Sequence, residues 1–139
     1  MVNAGNKIVV GLQRLGVAFG PMQLLTVPGR RTGVPRTFPI AVMPIDGASY
    51  IVQAYPKAAW VANVRAAGEV TLTRGRRSSA ARLAELPVEA RRPVLRRLVE
   101  TSPPSVGKRF VTTGLADAPT PDAVAAAADR IAVFRVERS

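Results

Sequence analysis

Two tight-turn signals, Asp46-Gly47 and Arg74-Gly75-Arg76, stand between short runs rich in Val, Ile, Leu and Thr. Turns of this kind fold neighbouring strands back on each other, which commits the chain to antiparallel pairing. Residues 22–28, 36–44, 48–54, 68–74 and 77–86 read as five strands, and Ile131 to Val136 as a last one. One helix interrupts them, Pro56 to Ala67, with Trp60, Val61 and Val64 on one face and Gly68 as its stop. Further helices are expected over 87–101, where Pro93 kinks or restarts the helix, and over 122–130. In the first of these Leu95, Leu98 and Val99 face inward, while Arg91, Arg92, Arg96 and Arg97 make a solvated basic face. Residues 102–121 look irregular, with one helical turn around Val106–Phe110. Strands and helices do not alternate strictly, which argues against a doubly wound parallel sheet. The expectation is an α+β fold: a mostly antiparallel six-stranded barrel with inserted and flanking helices, in a single domain over residues 1–139. Closure would hide the sheet edges.

Ahead of the strands, Ile8, Leu12, Leu15 and Phe19 recur at helical spacing, so an amphipathic helix is expected over residues 3–19, ended by Gly20-Pro21. It packs on the domain's own core or lies on a membrane surface, with Lys7 and Arg14 flanking the apolar face. No run approaches the roughly 18 apolar residues of a spanning helix. Gln13 and Arg14 interrupt the N-terminal stretch, which makes a poor signal peptide. The expected location is cytoplasmic, with the inner face of the cell membrane as the variant that the helix allows.

Composition removes whole classes of chemistry. The chain has no cysteine and no histidine, so thiolate nucleophiles, serine–histidine relays and the commonest zinc and haem ligands are excluded. Its nine carboxylates are scattered, with no pair at the spacing of a glycosidase or two-metal site, and no metal site is expected. Demanding chemistry must therefore come from a cofactor, and no side chain is assigned a catalytic role. The net charge of +11 favours anionic partners, although 17 of the 20 basic residues are arginine, as GC-rich coding tends to produce. Nucleic acid is not expected as a partner: aromatics make up 5% of the chain and no stacking motif is present.

The segment Gly29-Arg30-Arg31-Thr32-Gly33-Val34-Pro35-Arg36 joins the first two strands and carries three guanidinium groups and two glycines. Glycine lets a ligand approach main-chain N–H groups, and arginine matches phosphate or carboxylate oxygens in pairs. The loop reads as an anion clamp. It is neither a Walker loop nor a dinucleotide fingerprint, because no lysine–serine or lysine–threonine pair and no helix follow it. Trp60 is core filler or the wall of a planar ligand site, with Asn63 and Arg65 as polar neighbours, and Lys57 sits where helix N–H groups favour an anion.

The stretches Leu24-Leu25-Thr26-Val27-Pro28-Gly29-Arg30-Arg31-Thr32-Gly33-Val34-Pro35-Arg36-Thr37-Phe38-Pro39 and Trp60-Val61-Ala62-Asn63-Val64-Arg65-Ala66-Ala67-Gly68-Glu69-Val70-Thr71-Leu72 resemble the deazaflavin-dependent nitroreductases. These are split β-barrel oxidoreductases that use coenzyme F420. The resemblance implies cofactor contacts at Arg30, Arg31, Thr32, Arg36 and Pro39, and further contacts at Ala54, Tyr55, Lys57 and Trp60. It also implies hydride transfer from reduced deazaflavin to a quinone, nitroaromatic or other electrophile. Nitro-reducing members carry tyrosines around the substrate pocket; Thr101 to Thr113 has none, only Phe110. The stretch before Trp60 is also shorter than in those members. A branch of the family resembles fatty-acid-binding proteins, so a non-catalytic binder of a fatty acid or other anionic lipid is the alternative. FMN is the alternative cofactor, since its phosphate could use the same clamp.

Overall fold

A computed structural model describes residues 22–138; the helix expected over residues 3–19 lies outside them. Six strands, β1 (Met22–Pro28), β2 (Pro35–Ile45), β3 (Ala48–Val52), β4 (Glu69–Arg74), β5 (Arg77–Glu85) and β6 (Val133–Arg138), close into a barrel. The order around it is β1-β2-β3-β6-β5-β4, and every neighbouring pair is antiparallel. The helices are α1 (Ala59–Ala67), α2 (Val88–Thr101), α3 (Pro104–Thr112) and α4 (Pro121–Ala126), with a short 3-10 turn at Ala128–Arg130. None is long and apolar enough to cross a membrane.

Alternation along the strands sends Leu25, Val27, Ile40, Val42, Ile51, Val70, Leu72, Ala81, Leu83 and Phe134 into one cluster. Trp60, Val61 and Val64 of α1 join it, so the inserted helix packs onto the barrel core. Burying each such side chain stabilises the fold by about 1.5–3 kcal/mol. A second cluster lies between α2, α3, α4 and the barrel's outer side, around Ile45, Leu95, Leu98, Phe110, Val124, Ile131 and Val133.

Four expectations need correction. Residues 104–112 form a complete helix, not one turn. The Pro103-Pro104 pair that suggests irregular chain instead starts it, because a proline in the first turn gives up an N–H with no helical partner. Pro93 lies inside an unbroken α2. Its cost is offset by Leu95 and Leu98, 0% and 2% exposed, beyond it, and by Arg91 before it. Arg91 itself does not belong to a solvated face. It is buried, donating from Nε to the Leu86 carbonyl at 2.8 Å and from Nη1 to the Ala128 and Ile131 carbonyls at 3.0 and 3.3 Å. The helix expected over 122–130 divides into α4 and the 3-10 turn.

Candidate functional site

The β1–β2 connection folds on itself. Gly29 N–H donates to the Val34 carbonyl and Gly33 N–H to the Gly29 carbonyl, both at 2.8 Å, and Gly33 takes a φ of 75°. Below the loop the Thr26 and Thr37 hydroxyls bond at 3.0 Å across the strands. A side chain at Gly29 would crowd the Val34 carbonyl oxygen at 3.1 Å, the same oxygen that the Gly29 N–H bonds, so the tight fold of the loop favours glycine there.

A cavity of about 330 Å³ opens there, lined by Gly29, Arg30, Arg31, Thr32, Arg36, Phe38, Ala59 and Asn63. Arg36 and Phe38 are two residues apart on β2 and share its face, while Ala59 and Asn63 are one helical turn apart on α1. The loop supplies the rest. Asn63, 1% exposed, accepts at Oδ1 from the Arg30 main-chain N–H at 3.3 Å and from Arg30 Nη1 at 2.9 Å. Thr32 Oγ1 accepts from the Val34 N–H at 3.2 Å, which leaves the hydroxyl hydrogen available to a ligand.

The electrostatics of this cavity are one-sided. Among the described residues, Arg30, Arg31 and Arg36 make no ion pair. The N-terminus of α1 has no side-chain cap and no acidic residue in its first turn. Its free N–H groups and partial positive charge therefore add to the guanidinium groups.

Of the residues that the sequence singles out, Arg30, Arg31, Thr32 and Arg36 come together here. Pro39 lies outward on β2 opposite Leu24. Trp60 is buried in the barrel core, its ring 5.5 Å from that of Phe134 and inclined at 56°, and lines neither this cavity nor the next. Tyr55 is 55% exposed, and Lys57, at a φ of 56°, occupies the turn before α1, not the helix. Gln53 pins this segment, donating from Nε2 to the Tyr55 carbonyl at 2.8 Å and accepting at Oε1 from the Ala132 N–H at 3.0 Å. Phe38 and Ala59 are lining residues that sequence reading passes over; their spacings from Arg36 and Asn63 were the available signal.

Ala54 faces a separate, mainly apolar cavity of about 330 Å³ with Ala41, Met43, Val52, Leu98, Pro103, Ser105, Val106, Arg109 and Phe110. Its walls come from β2, β3, α2 and α3.

On the far side of α1, Glu85 Oε1 accepts from Arg65 Nε at 2.8 Å, and Oε2 accepts from Arg65 Nη2 at 2.6 Å and Arg91 Nη2 at 3.0 Å. The hydrogen bonds from Arg65 hold the Glu85 carboxyl below its ordinary range, helped by the charges of both arginines against the opposing effect of burial. Glu85 in turn raises the Arg65 guanidinium. This network fixes α1, and with it Asn63, against β5 and α2.

Solved structures place the barrel among split-barrel folds. A chain described as a domain-swapped dimer is 24% identical over 96% of this chain and 93% of its own, with a TM-score of 0.58. A structure described as an F420-H2 dependent reductase is 23% identical over 84% of this chain and 94% of its own, with a TM-score of 0.54. A general stress protein 26 relative of the pyridoxinephosphate oxidase family from Clostridium acetobutylicum is 9% identical over 99% and 86%, with a TM-score of 0.55. A search of curated proteins finds no match. The family model for F420H(2)-dependent quinone reductase matches residues 4–116. That match spans the arginine loop, the whole of α1 and most of the barrel, and the chain belongs to the F420H(2)-dependent quinone reductase family, which is defined by its use of reduced coenzyme F420.

Proposed function

We propose that this protein holds reduced coenzyme F420 by its anionic tail in the arginine cavity and passes a hydride to a quinone or similar electrophile in the apolar cavity. The observation that carries this reading is the meeting of Arg30, Arg31 and Arg36, without ionic partners among the described residues, at the uncapped start of α1. The donor set fits the group. A phosphate-bearing, carboxylate-bearing tail wants several N–H donors and positive charge, which the three guanidinium groups and the uncapped start of α1 offer.

When bound, the cofactor supplies a hydride, which is why the chain needs no thiol or imidazole. The residues around it bind and orient. Arg31 and Arg36 neutralise the tail, Thr32 offers a hydroxyl, and Arg30 is preset by Asn63. Arg36 at the anionic cavity and Ala41 at the apolar one both belong to β2, on opposite faces of the strand. Five residues of strand separate them, about 17 Å. Ala54, which faces the apolar cavity, is the remaining cofactor-contact candidate with a place in this arrangement.

Anaerobic oxidation of F420H2 by the purified full chain with 2-methyl-1,4-naphthoquinone tests the proposal. Protein-dependent loss of the reduced cofactor is expected. Tight cofactor binding with no turnover on any quinone would contradict the assigned reaction.

A further inference from the structure

We propose that Arg109 selects the acceptor: the apolar cavity takes a flat ring system carrying an ionised or carbonyl oxygen, and this guanidinium meets that oxygen. The inference rests on the acceptor occupying the apolar cavity. Among the described residues around that cavity, Arg109 alone is charged, and Ser105 is its only polar side-chain companion. Among the described residues the Arg109 guanidinium has no ion pair and no hydrogen-bond acceptor, unlike Arg91, Arg92, Arg96 and Arg97 on the neighbouring helix. Arg109 is itself exposed, at the rim of a cavity walled by Met43, Val106 and Phe110, so its guanidinium is open to an incoming oxygen.

The backbone that carries it is held firmly. Thr113 N–H and Oγ1 both donate to the Arg109 carbonyl, at 2.9 and 3.0 Å, and the Leu115 and Ala116 N–H groups both donate to the Phe110 carbonyl. Phe110 itself is 4% exposed. The guanidinium therefore projects from a fixed point on the cavity wall.

The chemistry has a use for it. A quinone that receives a hydride becomes a hydroquinone monoanion, and a proton from water completes the hydroquinone; the hydride donor is the reduced deazaflavin. Negative charge grows on a carbonyl oxygen during the transfer. Arg109 stabilises that charge as it forms, and the proton comes from water. Among the described residues no tyrosine lines this cavity.

Direct binding separates this idea from the activity. Calorimetric titration would compare 2-hydroxy-1,4-naphthoquinone, an anion at neutral pH, with the uncharged 2-methyl analogue, on the parent, Arg109→Gln, Arg109→Lys and Val106→Phe. The anionic quinone should bind Arg109→Gln about 10-fold more weakly than the parent, with the neutral one shifted less than about 3-fold. Arg109→Lys should keep part of the preference, and Val106→Phe, which fills the cavity, should weaken both. Equal affinity of the anionic quinone for the parent and Arg109→Gln, equal losses for both quinones, or no binding to the parent would overturn the proposal. A parent that binds the anionic quinone through Arg109 but leaves F420H2 unoxidised would instead contradict the assigned reaction and leave the subsite standing.

Discussion

Asn63 grips Arg30 at two points through one oxygen, taking its main-chain N–H at 3.3 Å and its Nη1 at 2.9 Å. The two residues are 33 positions apart, so this contact ties the arginine loop to α1. Asn63→Ala leaves the Arg30 N–H without its partner and frees the guanidinium. It should cost about 1–2 kcal/mol of stability and weaken F420 about 5-fold. Asn63→Asp keeps the acceptor but sets a negative charge under the clamp, so its F420 affinity should fall further than that of Asn63→Ala. Urea titrations and cofactor fluorescence on both variants check this ordering.

Glu85 makes stability depend on acid. Its folded carboxyl titrates below the ordinary value of 4.5 because Arg65, and secondarily Arg91, favour the charged form. The stabilisation is therefore complete above the unfolded value and is lost as pH falls through the lowered folded one. In Glu85→Gln the acid limb of the stability curve should flatten. Urea midpoints from neutral pH to about 3 measure it, and parallel curves for parent and variant would count against the network.

Gly107 in α3 leaves no room for a side chain: a Cβ there would collide with the Pro119 carbonyl oxygen. A rigid backbone is on the other side, so Gly107→Ala should destabilise by about 1–3 kcal/mol despite alanine's better helix propensity. Because α3 walls the apolar cavity, acceptor affinity should fall with it while F420 affinity holds. A thermal melt with paired titrations reads both effects.

Sequence pattern revealed the strands because alternation and turn chemistry are local. Residues 22–28 coincide with β1, and Asp46-Gly47 forms its hairpin with φ values of 48° and 86°. The arginine loop was equally legible, since its residues are contiguous. Relationships across the fold were not. Arg91 looked like one of four similar arginines, and only the approach of Ala128 and Ile131, some 40 positions on, makes it an interior donor. Trp60 showed its helical face without showing that Phe134 would meet it. The apolar cavity draws on β2, β3, α2 and α3, and no local spacing announces such an assembly.

The clamp itself is tested most directly by titrating coenzyme F420 fluorescence with the full chain and with the Arg30→Ala, Arg31→Ala double variant at low salt. Together the two guanidinium groups should contribute about 2–4 kcal/mol of binding, a loss of about 30-fold or more, while the fold survives with a modest drop in melting temperature, because the Arg30 main-chain N–H still bonds Asn63. A parent that ignores F420 at tens of micromolar, or a double variant that binds it as tightly as the parent, would contradict the account.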